Sequence, residues 1–319
     1  MDSRARVRAA KIAITTAISL AIIKMITAFA TGSMALLSSA TDSLLDIMMS
    51  FGNLLALRQA NKPADDDHPY GHGKFETAAT LLQSLLIAAS GLFILNESIH
   101  RLQHSDNKLA HLNIGIAVLA FSSIVSWFLS RYLKQVGIKT DSSALQADAL
   151  HYATDVYSNA VLLIGLIGVR LLGWNWVDPV LSIGVGCYIL YAAFELLKGS
   201  MNDFLDAGLP EEQRKQIVTC ITNNESEITG YHNIRTRRSG KFKMVDFNLT
   251  FCRFKTIEEA HDSADKIEKE IKQCIDNADI TIHLEPTKCT ECPKHGQCAR
   301  SKNIAKTSQQ ALQDRTSPP

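Results

Sequence analysis

The sequence has no excess of charge of either sign. Its 319 residues carry 33 Lys and Arg against 32 Asp and Glu, a net charge of +1. No basic field therefore argues for a nucleic-acid partner. It also has little cysteine. Seven are present, too few and too irregularly spaced for a disulfide framework, which leaves the scattered ones as packed or surface thiols of a reducing compartment. No His-Glu-x-x-His or comparable motif occurs, which argues against a membrane metalloenzyme. Charged residues make up only 20% of the chain, and they are unevenly placed. Residues 12–200 are apolar with isolated charges, whereas residues 201–319 are polar. A single soluble globule does not segregate in this way. The length suits about two domains, and the composition predicts a membrane domain followed by a soluble one.

A bilayer-spanning helix needs about 20 mostly apolar residues. Thr77–Asn96 and Leu112–Ser130 are free of formal charge, and Pro179–Phe194 is uncharged up to Glu195. Ile12–Ala30 is broken by Lys24 alone. Two further segments carry acids: Leu36–Leu57 with Asp42 and Asp46, and Ala144–Val169 with Asp148, His151 and Asp155. The expected fold class is an α-helical membrane protein with six transmembrane helices. The first apolar run follows Arg4, Arg6, Arg8 and Lys11 but precedes another hydrophobic segment, so it reads as an uncleaved span and not a signal peptide. Six spans put both termini on one side, together with Arg58, Lys62, Lys74, Arg131, Lys134 and Lys139. Arg101, Lys108 and Arg170 fall on the other. By the positive-inside rule, both termini are cytoplasmic.

The polar half reads as a small α+β unit. Glu211–Thr222 and Ile257–Cys274 have helical patterns, and His232–Arg238, Phe242–Phe251 and Ile280–Leu284 have strand patterns. The order αββαβ suits a compact ferredoxin-like layer with both helices on one face. Three domains are expected: 1–207 in the membrane, 208–287 in the cytoplasm, and a Cys-rich, disordered tail over 288–319.

The acids inside the apolar segments carry the strongest signal. Asp42 and Asp46 are four residues apart, as are His151 and Asp155, so each pair points from one helix face. Three intramembrane carboxylates at roughly 2.5–3.5 kcal/mol each sum to on the order of 8 kcal/mol. Neighbouring segments supply too few cations to neutralise them. A divalent cation held by three carboxylates and one imidazole would, and four N/O ligands suit tetrahedral Zn²⁺. The competing reading is a set of acids lining a wet cavity; two i,i+4 pairs on different helices favour the ion. Asp148 lies one turn earlier and reads as a vestibule acid, and Asn159 one turn later as a polar partner.

Between the second and third segments, Asp65-Asp66-Asp67-His68-Pro69-Tyr70-Gly71-His72 packs three acids and two histidines. It reads as a solvated turn or a three-ligand metal site, and composition alone favours the solvated turn. Near the end, Cys289, Cys292, His295 and Cys298 form Cys-x₂-Cys-x₂-His-x₂-Cys. That set satisfies zinc tetrahedrally, although its spacing also resembles iron–sulfur runs and an incidental cluster is the alternative.

Together, Asp42-Ser-Leu-Leu-Asp46, the stretch Pro63 to Glu76, and Asp148-Ala-Leu-His-Tyr-Ala-Thr-Asp155 resemble the cation diffusion facilitators, most closely their bacterial zinc- and iron-efflux branch. The likeness covers residues 1 to about 287. It implies a homodimer in the bacterial inner membrane that exports divalent metal in exchange for protons. It implies a transport site at Asp42, Asp46, His151 and Asp155 and a loop site at Asp65, His68 and His72. In the soluble domain it implies a site between protomers at His232, Asp246, His261, His283 and Glu285, with Asp246 standing where the family often has His. Lys74 and Asp206 match a pair that locks the protomers together. Zn²⁺ and Fe²⁺ are the expected cargo, with Cd²⁺, Mn²⁺ and Co²⁺ admitted by the same ligands. The rival reading is a non-transporting membrane sensor or scaffold that uses the soluble domain as a metal switch.

Overall fold

A computed structural model describes residues 2–31, 34–103, 113–172 and 177–288. The chain divides into two compact units. One comprises residues up to Leu205, the other Asp206–Arg238 together with residues 242–288.

The first unit holds six long helices: α1 (Asp2–Thr31), α2 (Met34–Ala60), α3 (Lys74–Gln103), α4 (Asn113–Lys139), α5 (Ser143–Leu172) and α6 (Val177–Phe204). Each runs 27 to 30 residues. At about 1.5 Å per residue they exceed the ~30 Å hydrocarbon core of a bilayer. They outrun the apolar segments of the sequence because polar helix formers such as Lys74 and Arg131 continue the backbone hydrogen bonding past the apolar stretch. Pro179 is tolerated because it lies in the first turn of α6, where a missing N–H loses no helical bond. Among the described residues, three helices are apolar and long enough to cross a membrane: Ser3–Ala30, Lys74–His100 and Pro179–Phe204. The expectation of six spans is thus met in full for three. In α2 and α5 the acids already noted interrupt the apolar character.

Polar contacts fix α5 against its neighbours. Tyr152 on α5 and Ser50 on α2 share a buried hydrogen bond of 2.9 Å. Asn53 on α2 donates to the Ala144 carbonyl at 3.1 Å, and Ser130 on α4 donates to the Ala149 carbonyl at 2.7 Å. Ala9, Ala10, Ala13, Leu57, Leu133 and Leu145 pack around these ties. Small residues allow the close helix approach that membrane packing requires.

The second unit follows the order α7 (Glu211–Thr222), β1 (Gly230–Ser239), β2 (Phe242–Cys252), α8 (Ile257–Cys274), β3 (Ala278–Thr287). Both helix ranges are as read from the sequence; the strands extend one to three residues further at their ends. The sheet order is β1-β2-β3, with β2 and β3 parallel and Asn248 opposite His283. A parallel pair needs a crossover, and α8 supplies it. That helix begins with a reciprocal cap: Thr256 accepts from the Glu259 amide at 3.2 Å and Glu259 from the Thr256 amide at 2.7 Å. Ile217 and Ile221 of α7, Ile267 and Ile271 of α8, and Val245, Phe247, Leu249 and Phe251 of β2 form one core. Alternate strand residues face opposite sides. The residues of even number on β2 therefore line the face that neither helix covers.

Candidate metal centre

His151 Nε2 lies 2.9 Å from Asp46 Oδ1, joining α5 to α2. Asp155, one turn along α5, completes a group: one donor atom each from Asp46, His151 and Asp155 lies within 4.8 Å of the others. That separation suits atoms sharing one ion at about 2.0–2.2 Å. His151 is 9% exposed. The fourth expected residue, Asp42, lines a cavity of about 200 Å³ together with Asp46 and Asp155 but stands outside the close trio. Lys24 of α1 also lines it and donates to Ser43 at 2.8 Å. One cation was thus supplied by a neighbouring helix, although not enough to balance three acids.

Asp148 corrects an expectation. It is fully buried and accepts from Gln83 of α3 at 3.1 Å, so it is no vestibule acid. Its other oxygen has no hydrogen-bond partner among the described residues. The reason is rotational: the turn that aims His151 at α2 aims Asp148 at α3. Asn159 lines the cavity with Asp155, as a polar partner should.

A second trio forms on the loop before α3. Asp65, His68 and His72 bring donor atoms within 4.8 Å of one another. His68 Nδ1 and His72 Nε2 each lie 3.3 Å from the Asp65 carboxylate, one on each oxygen. Gly71 makes the reversal possible at φ 78, a left-handed conformation that favours glycine. The His68 amide donates to Asp65 at 2.8 Å, which holds the Asp65 carboxyl below its ordinary pKa. His72 is buried, and its Nδ1 is 3.2 Å from the Pro63 carbonyl. A carbonyl can only accept, so His72 Nδ1 donates in this contact, which holds the ring with Nε2 toward Asp65. These contacts are more than a solvated turn requires.

In the second unit, the helix-free face of the sheet gathers His232 of β1, Asn248 of β2, and His283 and Glu285 of β3. Glu285 lies 3.3 Å from His232 and 3.6 Å from His283. Asn248 donates to Glu285 at 2.7 Å and approaches His232 Nε2 at 3.4 Å. The β2 member of this cluster is therefore Asn248, where Asp246 was expected. Asp246 sits two residues back on the same face, opposite Thr281. Period-two alternation puts both residues on that face, so the sequence pattern alone could not choose between them. His261 is exposed on α8, on the helical side of the sheet. Asn233, at φ 55, kinks β1 so that both Tyr231 and Ile234 pack on the core while His232 turns away.

Lys74 donates to the Phe204 carbonyl at 3.1 Å, and Asp206 pairs with Arg237 at 3.4 Å. Cys289, Cys292, His295 and Cys298 lie outside the described residues.

Residues 10–205 match the family model described as the cation efflux transmembrane domain. Residues 209–287 match the one described as the cation efflux protein cytoplasmic domain. Two cation-efflux pumps named FieF, from Salmonella newport (strain SL254) and Salmonella typhimurium (strain LT2), are each 36% identical over 290 residues, covering 91% of this chain and 95% of theirs. A solved structure of CzrB is 29% identical and covers 25% of this chain and 100% of that one, with a TM-score of 0.25. With most of its length matched by the two family models, the chain belongs to the cation diffusion facilitator family, on its bacterial zinc- and iron-efflux branch, and is an integral membrane transporter that exports divalent metal cations.

Proposed function

We propose that the chain works as a homodimer in the bacterial inner membrane, exporting Zn²⁺ or Fe²⁺ from the cytoplasm in exchange for protons. Asp42, Asp46, His151 and Asp155 form the transport site. The observation that carries this reading is the close trio of Asp46, His151 and Asp155 from two different helices. An imidazole with carboxylates suits Zn²⁺ and Fe²⁺ and also admits Cd²⁺, Mn²⁺ and Co²⁺, so the ligands narrow the choice only modestly.

Proton exchange follows from the same geometry. A 2.9 Å approach of His151 Nε2 to Asp46 Oδ1 is attractive only with a proton between the two atoms. A metal ion bound by both must expel that proton, so loading and proton release are one event. On the far side, reprotonation reverses it. Asp42, one turn along α2, closes the fourth coordination position as the helices rock.

The six helices all span the bilayer in this reading, with both termini cytoplasmic. Asp65, His68 and His72 receive the ion on the cytoplasmic face. Residues 208–287 form a ferredoxin-like layer that pairs with its copy across the helix-free sheet face. There His232, His283 and Glu285 bind metal and draw the protomers together, while His261, on the helical side of the sheet, stands apart from that face. Lys74 and Asp206 add an interface pair near the membrane surface. The tail over 288–319 binds a further ion through Cys289, Cys292, His295 and Cys298. The chain has no enzymatic role.

Metal flux in proteoliposomes tests the reading. Asp46→Ala or Asp155→Ala should abolish Zn²⁺ transport while the purified protein keeps its helical content and oligomeric state. Wild-type flux in both variants would reject the site.

A further inference from the structure

Two cavities in the helical unit meet at Ser158 and Asn159. The first contains the transport-site acids and occupies about 200 Å³. The second, also about 200 Å³, is lined by Glu97 and Ser98 of α3, Ser158 and Asn159 of α5, and Pro179 and Ser182 of α6. Ser158 and Asn159 follow Asp155 by three and four residues, hence one helical turn on along the same face. The two spaces are consecutive along α5.

Their order relative to the ends of the helices is fixed by a contact at one end. Ser142, just before α5, donates to Glu76 near the start of α3, so those two points are level. From there Asp155 is 13 residues along α5, about 20 Å, and Glu97 is 21 residues along α3, about 32 Å. Glu97 therefore lies beyond the transport site, roughly a bilayer core away from the end where the Asp65 loop enters α3. It is the acid of the second cavity, and it falls within the apolar span Lys74–His100.

The donors around this cavity are all oxygen: a carboxylate, an amide carbonyl and three serine hydroxyls. Such a set holds a partly hydrated divalent cation loosely, whereas the imidazole-containing trio holds a borderline ion more tightly. The sequence of donors thus runs from strong to weak in the direction of exit. We infer that Glu97 forms an outer, all-oxygen cation position through which the exported ion passes after leaving Asp46, His151 and Asp155. The inference rests on the transport site proposed above.

The test uses the full chain in proteoliposomes, with Zn²⁺ as the probe. Two quantities are read: the initial rate from the loading side, and the Zn²⁺ on the receiving side that halves it. Glu97→Gln should lower the rate several-fold, leave half-saturation on the loading side unchanged, and raise the half-inhibiting receiving-side Zn²⁺ at least threefold. Ser182→Ala, which keeps the acid, should shift that last value in the same direction by less. Wild-type rate and wild-type receiving-side inhibition in Glu97→Gln would overturn the inference, as would equal shifts on both sides. Should Glu97→Gln fail to insert, an unchanged value in Ser182→Ala overturns it alone. Asp155→Asn separates the two readings. If it abolishes flux while Glu97→Gln behaves as wild type, the outer position falls and the transport site stands. If flux survives it, the transport site falls and the outer position with it.

Discussion

Arg6 of α1 and Glu76 of α3 form an ion pair at 2.8 Å with both side chains only 1% exposed. Arg6 also donates to Asn61, just past α2, at 2.5 Å. The second Glu76 oxygen accepts from Ser142 at the entry to α5. Four helices are thus tied at one end by two side chains, some 20 Å from Asp155 by helix rise.

Breaking that pair should be expensive. Glu76→Gln leaves a guanidinium buried with no countercharge, a loss of about 3–5 kcal/mol. Thermal unfolding in detergent should show a clearly lowered midpoint. Replacing both partners, as Arg6→Met with Glu76→Leu, should recover most of it, because a buried pair often contributes little beyond an apolar substitute. A Glu76→Gln protein as stable as the parent would mean that the pair is wet.

The proposed transport site makes a prediction about which ion is accepted. His151→Asp leaves only oxygen donors, which suit harder cations. Flux measured ion by ion should show Zn²⁺ preference falling and Mn²⁺ transport appearing. An unaltered selectivity series would show that His151 does not touch the ion.

The sheet-face cluster makes a third prediction. The second unit has its own core, so residues 208–288 can be studied alone. Zn²⁺ should raise their unfolding temperature, by about 2.7 kcal/mol of stabilisation at a hundredfold excess over the dissociation constant. His283→Ala should remove most of the gain. Asn248→His should enlarge it, since it places a third imidazole between His232 and Glu285, and Asp246→Ala should change little. Indifference to Zn²⁺ in all four proteins would make the face a purely structural one.

A fourth prediction concerns acid stability of the same unit. Lys266 donates to Glu227 at 2.8 Å, which holds the Glu227 carboxyl below its ordinary value of 4.5. A carboxylate whose folded pKa is depressed adds stability above its unfolded value and loses it as pH falls through the folded one. Glu227→Gln should therefore lower the melting temperature slightly at pH 7 and leave it unchanged near pH 3. The pair is exposed, so the difference should shrink further in high salt. A variant that tracks the parent at every pH would show that this ion pair adds nothing.

Much of this was legible in the sequence. The helix ranges of the soluble unit were, because Pro210 and the Thr256-to-Glu259 cap are local signals and the apolar spacing is regular. The spacing of Asp46, His151 and Asp155 announced the trio because carboxylates within apolar helices have few other uses. What the sequence concealed was rotation and register. Asp148 shares a stripe with His151 on paper, yet the packing of α5 against α3 buries it on Gln83. Asn248 and Asp246 share a strand face, and only the alignment of β2 with β3 shows which one meets Glu285. Glu97 escaped notice because it directly follows the apolar run Thr77–Asn96 and is flanked by Asn96, Ser98, His100 and Arg101, so it reads as the polar end of a span.

The soluble unit keeps one sulfur, that of Cys220, buried away from its surface imidazoles and carboxylate. Cys220 and Cys274 stand 3.0 Å apart on the two helices, behind the sheet. Burial, with Cys274 beside it, pushes the Cys220 thiol up to about 12, so at neutral pH it offers a neutral sulfur and no thiolate. His232, His283 and Glu285 gather on the opposite face of the sheet. The Cys220 sulfur is thereby kept apart from any ion that meets imidazole and carboxylate there. A thiophilic ion would have to open the core to reach Cys220, whereas a borderline one meets its ligands on the surface.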